Sequence, residues 1–236
     1  MSQNEKENSV LELQARWDKI RIANLYDVLD SMGYPNQCLD LGIKPLFPKQ
    51  HLAGVAVTVK GAREPRSREE LEMDGKGSQV YMGARDIVFP GSVLVVECGG
   101  ETFSGKFGEM TSWSLQQRGA RGIVLNSYIR DLLGLEVIPN YTVCARGTSP
   151  VESFRRWQPN TFNVPIAMPG TLTNQVRVAP GDWIVGGPDG VIVVPQEIAM
   201  EALIKAEEME VLEQGMREDL AAGMPFDEAF EKWGRA

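Results

Sequence analysis

Glu109, Arg130 and Asp131 are the side chains in this sequence whose types and spacing best suit chemistry, with twenty residues between the glutamate and the Arg-Asp pair. The obvious competitors are few. There is one histidine, His51, in the stretch PKQHLAG, with no carboxylate or nucleophile signature beside it in the sequence, so a Ser-His-Asp or Cys-His mechanism would have to rest on that ring alone. A multi-histidine metal site is impossible. Cys38, Cys98 and Cys144 are odd in number and far apart, which excludes both a disulfide framework and a CxxC zinc site. Cys98 and Cys144 each follow a β-branched run and read as small core residues. Whatever chemistry exists must therefore use carboxylates, arginine, lysine and backbone amides, with or without a hard metal ion.

What could bring Glu109 to Arg130 is a βαβ unit. Pro90-Gly91 makes a turn into the strand SVLVVE, residues 92–97, and a glycine-rich loop then leads to a helix over 109–118 with Gly119 as its cap. GIVLN follows as a short buried strand, and SYIRD comes directly after it. In a parallel pair both strands exit at the same carboxyl edge, and the intervening helix presents its N-terminus there. Glu109, Met110 and Thr111 at the helix start should then lie beside Arg130 and Asp131. Helix N-terminal amides accept a carboxylate, and an arginine fork grips a carboxylate or ketone oxygen. Asp131 and Glu109 offer oxygen ligands, directly or through water, to Mg²⁺ or a similar cation. Such a set suits a 2-oxo acid and stabilisation of its enolate. The same spacing also fits a surface Arg-Asp pair and an acidic residue favouring a helix start, and spacing alone leaves that open.

The rest of the 236-residue chain fits one large domain with one substantial core. Its apolar and charged fractions, 43% and 24%, are those of a globular protein. The net charge of -8 argues against a nucleic-acid surface; Arg63 to Arg68 and Arg155-Arg156 read as solvated faces. No run of 18 uncharged apolar residues occurs, so no membrane span is expected, and the polar start MSQNEKENSV points to a cytoplasmic protein. Residues 10–33 read as one helix, GVAVTVK at 54–60 as a strand, and 62–79 as a polar surface excursion. WIVG and VIVVP form a hairpin around the turn Gly187-Pro188-Asp189-Gly190, and helices follow over 196–214 and 227–233.

The segment from Glu109 to Asp131 resembles the acidic-X20-Arg-Asp signature of RraA-like proteins. Supporting stretches are NLYDVLDSMG, HLAGVAVTVKG, GARGIVLNSYIRDLLGL, CARGTSP and APGDWIVGGPDGVIVVP, spanning residues ~22 to 200. This family includes 4-hydroxy-4-methyl-2-oxoglutarate and 4-carboxy-4-hydroxy-2-oxoadipate aldolases. The resemblance implies an α/β fold, a β/β/α swivelling-type sandwich over 22–200, flanked by an N-terminal helical segment (1–21) and a C-terminal helical extension (201–236). It implies a lyase of the class II pyruvate aldolase or oxaloacetate decarboxylase type, dependent on Mg²⁺ or Mn²⁺. Asp131 would be the direct metal ligand and Glu109 would hold a metal-bound water. Arg130 would bind the ketone oxygen and carboxylate, and the amides of Met110 and Thr111 would take the carboxylate. The family also implies a homotrimer or homohexamer, in which an acidic residue from a neighbouring C-terminal region (Glu197, Glu201 or Glu207) can contribute.

The chain departs from the family at several points. Asn126-Ser127 stands where Asp-Gly is common, Gly187 where Asp is common, and Glu109 where the first acid is often Asp. These leave the Arg-Asp core intact and put the substrate in doubt. Two other roles belong to the same resemblance: a dehydratase of sugar acids or other hydroxy acids, and a non-catalytic RNase E regulator. A methyltransferase reading of VVECGG fails, because Glu101 to Ser104 intervene where G-x-G-x-x-G would continue.

Overall fold

The computed structural model describes residues 3–48, 50–74 and 82–234. In chain order its elements begin with α1 (Gln3–Trp17), α2 (Ile22–Ser31), β1 (Lys44–Pro45), β2 (Leu52–Arg63), α3 (Arg68–Asp74), α4 (Met82–Asp86) and β3 (Ser92–Glu97). Then come β4 (Gly105–Lys106), α5 (Glu109–Gln116), β5 (Gly122–Leu125), β6 (Tyr128–Ile129), α6 (Leu132–Glu136), β7 (Thr142–Ala145) and β8 (Gly147–Thr148). The last are β9 (Trp157–Phe162), β10 (Ile166–Met168), β11 (Val176–Val178), β12 (Trp183–Gly187), β13 (Gly190–Val194), α7 (Ala199–Ala221) and α8 (Phe226–Trp233).

The main sheet runs β1-β7-β5-β3-β2-β12-β13. Its centre, β7-β5-β3-β2, is parallel throughout, and the hairpin β12–β13 joins antiparallel to the first half of β2. β9 pairs with the second half of β2 across a bulge at Lys60/Gly61. Residues before β1 bridge back to β13, with Cys38 opposite Ile192, so the sheet nearly closes on itself.

Alternation along each strand explains why these runs are apolar without interruption. In β3, Val93 and Val95 point inward to a core shared with Val124, Cys144, Ile184, Val191 and Val193, plugged by the small hairpin β10–β11. Leu94 and Val96 point outward and are covered by Leu115 of α5 and Leu135 of α6. Outward residues of β12 and β13, Trp183, Val185, Ile192 and Val194, are covered instead by α1, α2 and α7. Strands buried on both faces need apolar residues at every position, which is why SVLVVE and GIVLN lack a polar face.

The structure corrects the single helix expected over 10–33. α1 stops at Trp17, Lys19 and Ile20 close a tight turn onto the carbonyls of Arg16 and Trp17 (3.1 and 3.0 Å), and α2 starts at Ile22. Trp17, Ile20 and Ile22 all enter the same core. At about 100° per residue a straight helix would put Ile20 and Ile22 on opposite sides, so the chain must break between them. No glycine or proline announces the break. The polar excursion expected at 62–79 contains the end of β2 and α3; residues 75–79 lie outside the described residues. α7 extends to Ala221, well past the expected end at 214.

Candidate active site

Three consecutive parallel strands of the main sheet lead into a second parallel sheet of two-residue strands, the first through the loop 98–104 and the other two after a short kink. β3 leads to β4, β5 to β6 and β7 to β8, and the small sheet is ordered β4-β6-β8. Beyond β8 the chain returns to β4: the Gly105 amide donates to the Val151 carbonyl at 2.8 Å, and Gly105 bridges Glu152. The residues that follow these three strands surround a cavity of about 350 Å³. It is lined by Gly108, Met110 and Thr111 after β4, by Arg130 and Asp131 after β6, and by Glu152, Ser153 and Phe154 after β8, with Gly105 and Phe107 completing it.

Asp131 is fixed by backbone geometry as well as by contacts. Its φ of 64° places it in the left-handed region, where Asp and Asn are tolerated better than other L-residues. That kink turns the chain from β6 into α6. One carboxylate oxygen accepts the Glu109 amide at 3.4 Å, and the other faces Arg130 Nε at 3.4 Å. The Asp131 side chain is 44% exposed and that of Arg130 33%, so both reach the open cavity. Gly108 makes this possible: a Cβ there would lie 2.3 Å from an Asp131 carboxylate oxygen and 2.8 Å from Arg130 Cγ. Gly108 is also the residue before α5 and brings no capping side chain of its own. Asp131 takes the first amide, that of Glu109, and the next two, of Met110 and Thr111, keep their capacity for an incoming acceptor.

Of the residues expected from the sequence, Met110, Thr111, Arg130 and Asp131 come together on the cavity. Glu109 sits at its edge. Its carboxylate packs onto α6, where a Cβ on Gly134 would come within 2.1 Å of it, and Glu109 does not line the cavity. Among the C-terminal acids, Glu207 accepts two hydrogen bonds from Arg16 (2.8 and 2.7 Å), and Glu201 pairs with Lys205 at 2.8 Å. His51 does meet a carboxylate, Asp18 at 3.6 Å, delivered by the end of α1 and far from the cavity. Cys98 and Cys144 are buried in the core, and burial pushes the Cys98 thiol up to about 12 and raises Cys144 as well.

The sequence reading missed two features. One is the third wall, Glu152 to Phe154. The rule that placed Arg130 at the carboxyl edge applies equally to β7, and CARGTSP followed by VESF was the signal. The other is a buried ion pair beneath the cavity. Lys106 and Glu101 have fully buried side chains and bond to each other. Lys106 Nζ also donates to the Ser127 hydroxyl (2.9 Å) and the Ser104 carbonyl (3.1 Å), while the Ser127 hydroxyl donates to the Glu101 carbonyl at 2.8 Å. The other Glu101 oxygen accepts the amides of Ser104 (2.8 Å) and Phe103 (3.2 Å). Burial works to raise the Glu101 carboxyl, but Lys106 and these amides outweigh it and hold it below its ordinary value. Asn126 accepts the Cys98 amide at 2.9 Å. Asn126 and Ser127, which looked like mere departures from a motif, thus stitch the loop before β4 to the start of β6.

Asp131 presents a half-exposed carboxylate into open space that a glycine keeps clear. No cluster of three or more His, Cys, Asp or Glu ligands occurs among the described residues, so a cation held here would take most of its ligands from water. One carboxylate completed by water is a coordination that Mg²⁺ accepts.

Comparison with known proteins gives concordant results. The RraA-like (Aldolase/RraA) family matches residues 22–193. A Halalkalibacterium halodurans protein provisionally named 4-hydroxy-4-methyl-2-oxoglutarate aldolase is 29% identical over 164 residues, covering 70% of this chain and 69% of its own. Protein DlpA of Legionella pneumophila is 24% identical over 89% of this chain, which spans only 32% of DlpA's length. A solved Streptomyces coelicolor structure, RraAS2, described as an unusual member of the RNase ES inhibitor RraA protein family, is 27% identical. It superposes with a TM-score of 0.73 over 88% of this chain and 97% of its own.

Proposed function

This chain belongs to the RraA-like family, and from that premise we propose that it is a divalent-metal-dependent carbon-carbon lyase cleaving a 4-hydroxy-2-oxo acid to pyruvate and a carbonyl compound. One observation carries the reading: Arg130, Asp131 and the first turn of α5, at Met110 and Thr111, converge on a single cavity. The name of the Halalkalibacterium relative supports the same class of activity.

In this reading the α5 amides of Met110 and Thr111 hold the substrate carboxylate. Arg130, its stem confined by Gly105 and Gly108, directs guanidinium N–H groups to the ketone oxygen. Breaking the C3–C4 bond leaves its electron pair on C3, delocalised as an enolate, and the charge that develops on the ketone oxygen falls where Arg130 is already placed. Asp131, with water, is the residue that would hold Mg²⁺ or Mn²⁺, and Glu109 would orient one of those waters. The cation, when bound, supplies further positive charge beside that oxygen. The C4 hydroxyl proton passes to solvent, and C3 is protonated from solvent.

The decisive experiment needs no knowledge of the true substrate. Pyruvate itself should exchange its methyl protons for deuterium in D₂O, followed by NMR, in the presence of Mg²⁺ and not of EDTA. Absence of metal-linked exchange would remove the enolate chemistry on which the reading depends. The likeness to RraAS2 supports a second reading, a protein-binding regulator, and that reading gains if exchange is absent while an RNase partner is bound.

A further inference from the structure

Two amides can grip a carboxylate only if the helix that carries them is held at a fixed angle, and α5 has little to hold it. Of its eight residues only Ser112 and Leu115 are buried, and a helix that short takes its orientation from tertiary contacts. Its entry is weak as well. Gly108 must lack a side chain to leave room for Asp131 and Arg130, and a residue without a Cβ is the most freely rotating one the chain can place there. The corner that opens the cavity is therefore a hinge.

The chain before the hinge is fixed. Lys106 is anchored in the buried pair with Glu101 and to the Ser127 hydroxyl. The Phe107 ring is buried and meets Trp157 edge-on, with 6.1 Å between ring centres. Its φ of 51° lies in the left-handed region, which a bulky residue adopts only where its surroundings impose it. From the far side of the hinge, the fully buried Ser112 hydroxyl donates to the Phe107 carbonyl at 3.1 Å. A helical serine ordinarily back-bonds three or four residues earlier, within its own helix. This one reaches five back, while the Ser112 amide donates to the Gly108 carbonyl at 3.0 Å. The Phe107 carbonyl belongs to the peptide plane before the Gly108 α-carbon and the Gly108 carbonyl to the plane after it. Rotation between those two planes is the hinge motion, and residue 112 bonds to both. Asp131 also accepts the Glu109 amide, at 3.4 Å, but that carboxylate is the group assigned to the cation. Ser112 does not line the cavity, so no ligand competes for its hydroxyl.

We propose that Ser112 is a positioning residue: it locks the Gly108 hinge so that the amides of Met110 and Thr111 stay aimed at the substrate carboxylate. The proposal deepens the lyase reading above and rests on it. Alanine at this position would fill nearly the same space and favour the helix more, but it would give up the bond to the plane before the hinge.

The test is Ser112→Ala in the full-length protein, followed by the kinetics of pyruvate methyl-proton exchange with Mg²⁺ and by NMR of the amide at position 112. The two amides hold the carboxylate alike before and during proton loss, so KM for pyruvate should rise about 10-fold while kcat stays within about 3-fold. Without any ligand, the amide at position 112 should exchange with D₂O about 10-fold faster, after correction for the intrinsic difference between serine and alanine. Either an unchanged KM or an unchanged amide exchange overturns the proposal, since a serine that merely packs would lower Tm and move neither. If the parent protein catalyses no methyl exchange, the lyase reading falls on that ground alone. Amide exchange then still decides the lock: an unchanged rate overturns it, and a faster one upholds it.

Discussion

Replacing Lys106 by methionine isolates the buried pair beneath the cavity. The substitution keeps an unbranched side chain of similar volume and removes the ammonium, leaving the Glu101 carboxylate with the amides of Phe103 and Ser104 but no countercharge. Removing one partner of a buried pair costs about 3–5 kcal/mol, because the orphaned charge stays desolvated. For a chain of this size each kcal/mol shifts Tm by about 2–4 °C, so calorimetry should record a fall of roughly 6–20 °C. The pH dependence gives a sharper signature. In the parent protein Glu101 is held below its ordinary pKa, so its contribution is fully present above about pH 4.3 and lost only as pH falls through the lower folded-state value. Between pH 5 and 8 it adds no slope. Without Lys106, burial dominates and pushes the carboxyl up, so the variant should lose stability as pH rises from 5 to 8. Adding Glu101→Gln removes the second charge and keeps an acceptor for the two amides, and at least half the loss should return. A single variant that melts like the parent, or a double variant less stable than the single, would refute this account of the pair.

Three further expectations follow from the site and the surface. Arg130→Lys keeps the charge but loses the planar fork, and should lower the rate of metal-linked pyruvate exchange by about 10²-fold; near-parental exchange would place the ketone oxygen elsewhere. Asp131→Asn tolerates the same left-handed backbone, so calorimetry without metal should show little change, whereas Mg²⁺-dependent binding of oxalate, a mimic of the pyruvate enolate, should vanish. Retention of metal-linked binding would show that another group holds the cation. Val211, Phe226 and Phe230 on α7 and α8 are exposed at 70, 61 and 44%, apolar side chains that contact with further copies of the chain would cover. Light scattering should give a trimer or hexamer; a monomer of 26.1 kDa with full activity would contradict it.

The meeting of α5 with Arg130 and Asp131 was legible in the sequence because it needs only one rule, that parallel strands share an exit edge, applied to two strong apolar runs. What escaped was held by interactions too short or too distant to leave a pattern. β4, β6 and β8 have two residues each, below any periodicity, yet they set the walls of the cavity. Glu101 and Lys106 sit in a polar, glycine-rich stretch that reads as solvated loop; only the fold brings Ser127 to them and closes them from water. The orientation of Glu109 depends on Gly134, which belongs to a five-residue helix. The break between α1 and α2 is likewise a packing decision, since Trp17, Ile20 and Ile22 share one core and no local residue demands the turn.

The threefold continuation of β3, β5 and β7 into β4, β6 and β8 also bears on how such a protein can diverge. On the proposed reading, anchoring of the 2-oxo acid, activation of its ketone and accommodation of the departing group would come off three different strands, whose following residues line one cavity. Point changes at Glu152 to Phe154 can therefore explore new aldehydes while the machinery of bond cleavage stays under separate constraint, and a lineage can change its diet without relearning its reaction. Insertions there are another matter. The hydrogen bond from Gly105 to Val151 locks the third exit to the first, so lengthening the chain beyond β8 would disturb the strand that delivers the α5 amides. Substrate range in this architecture should drift by substitution at that wall, and seldom by loop growth.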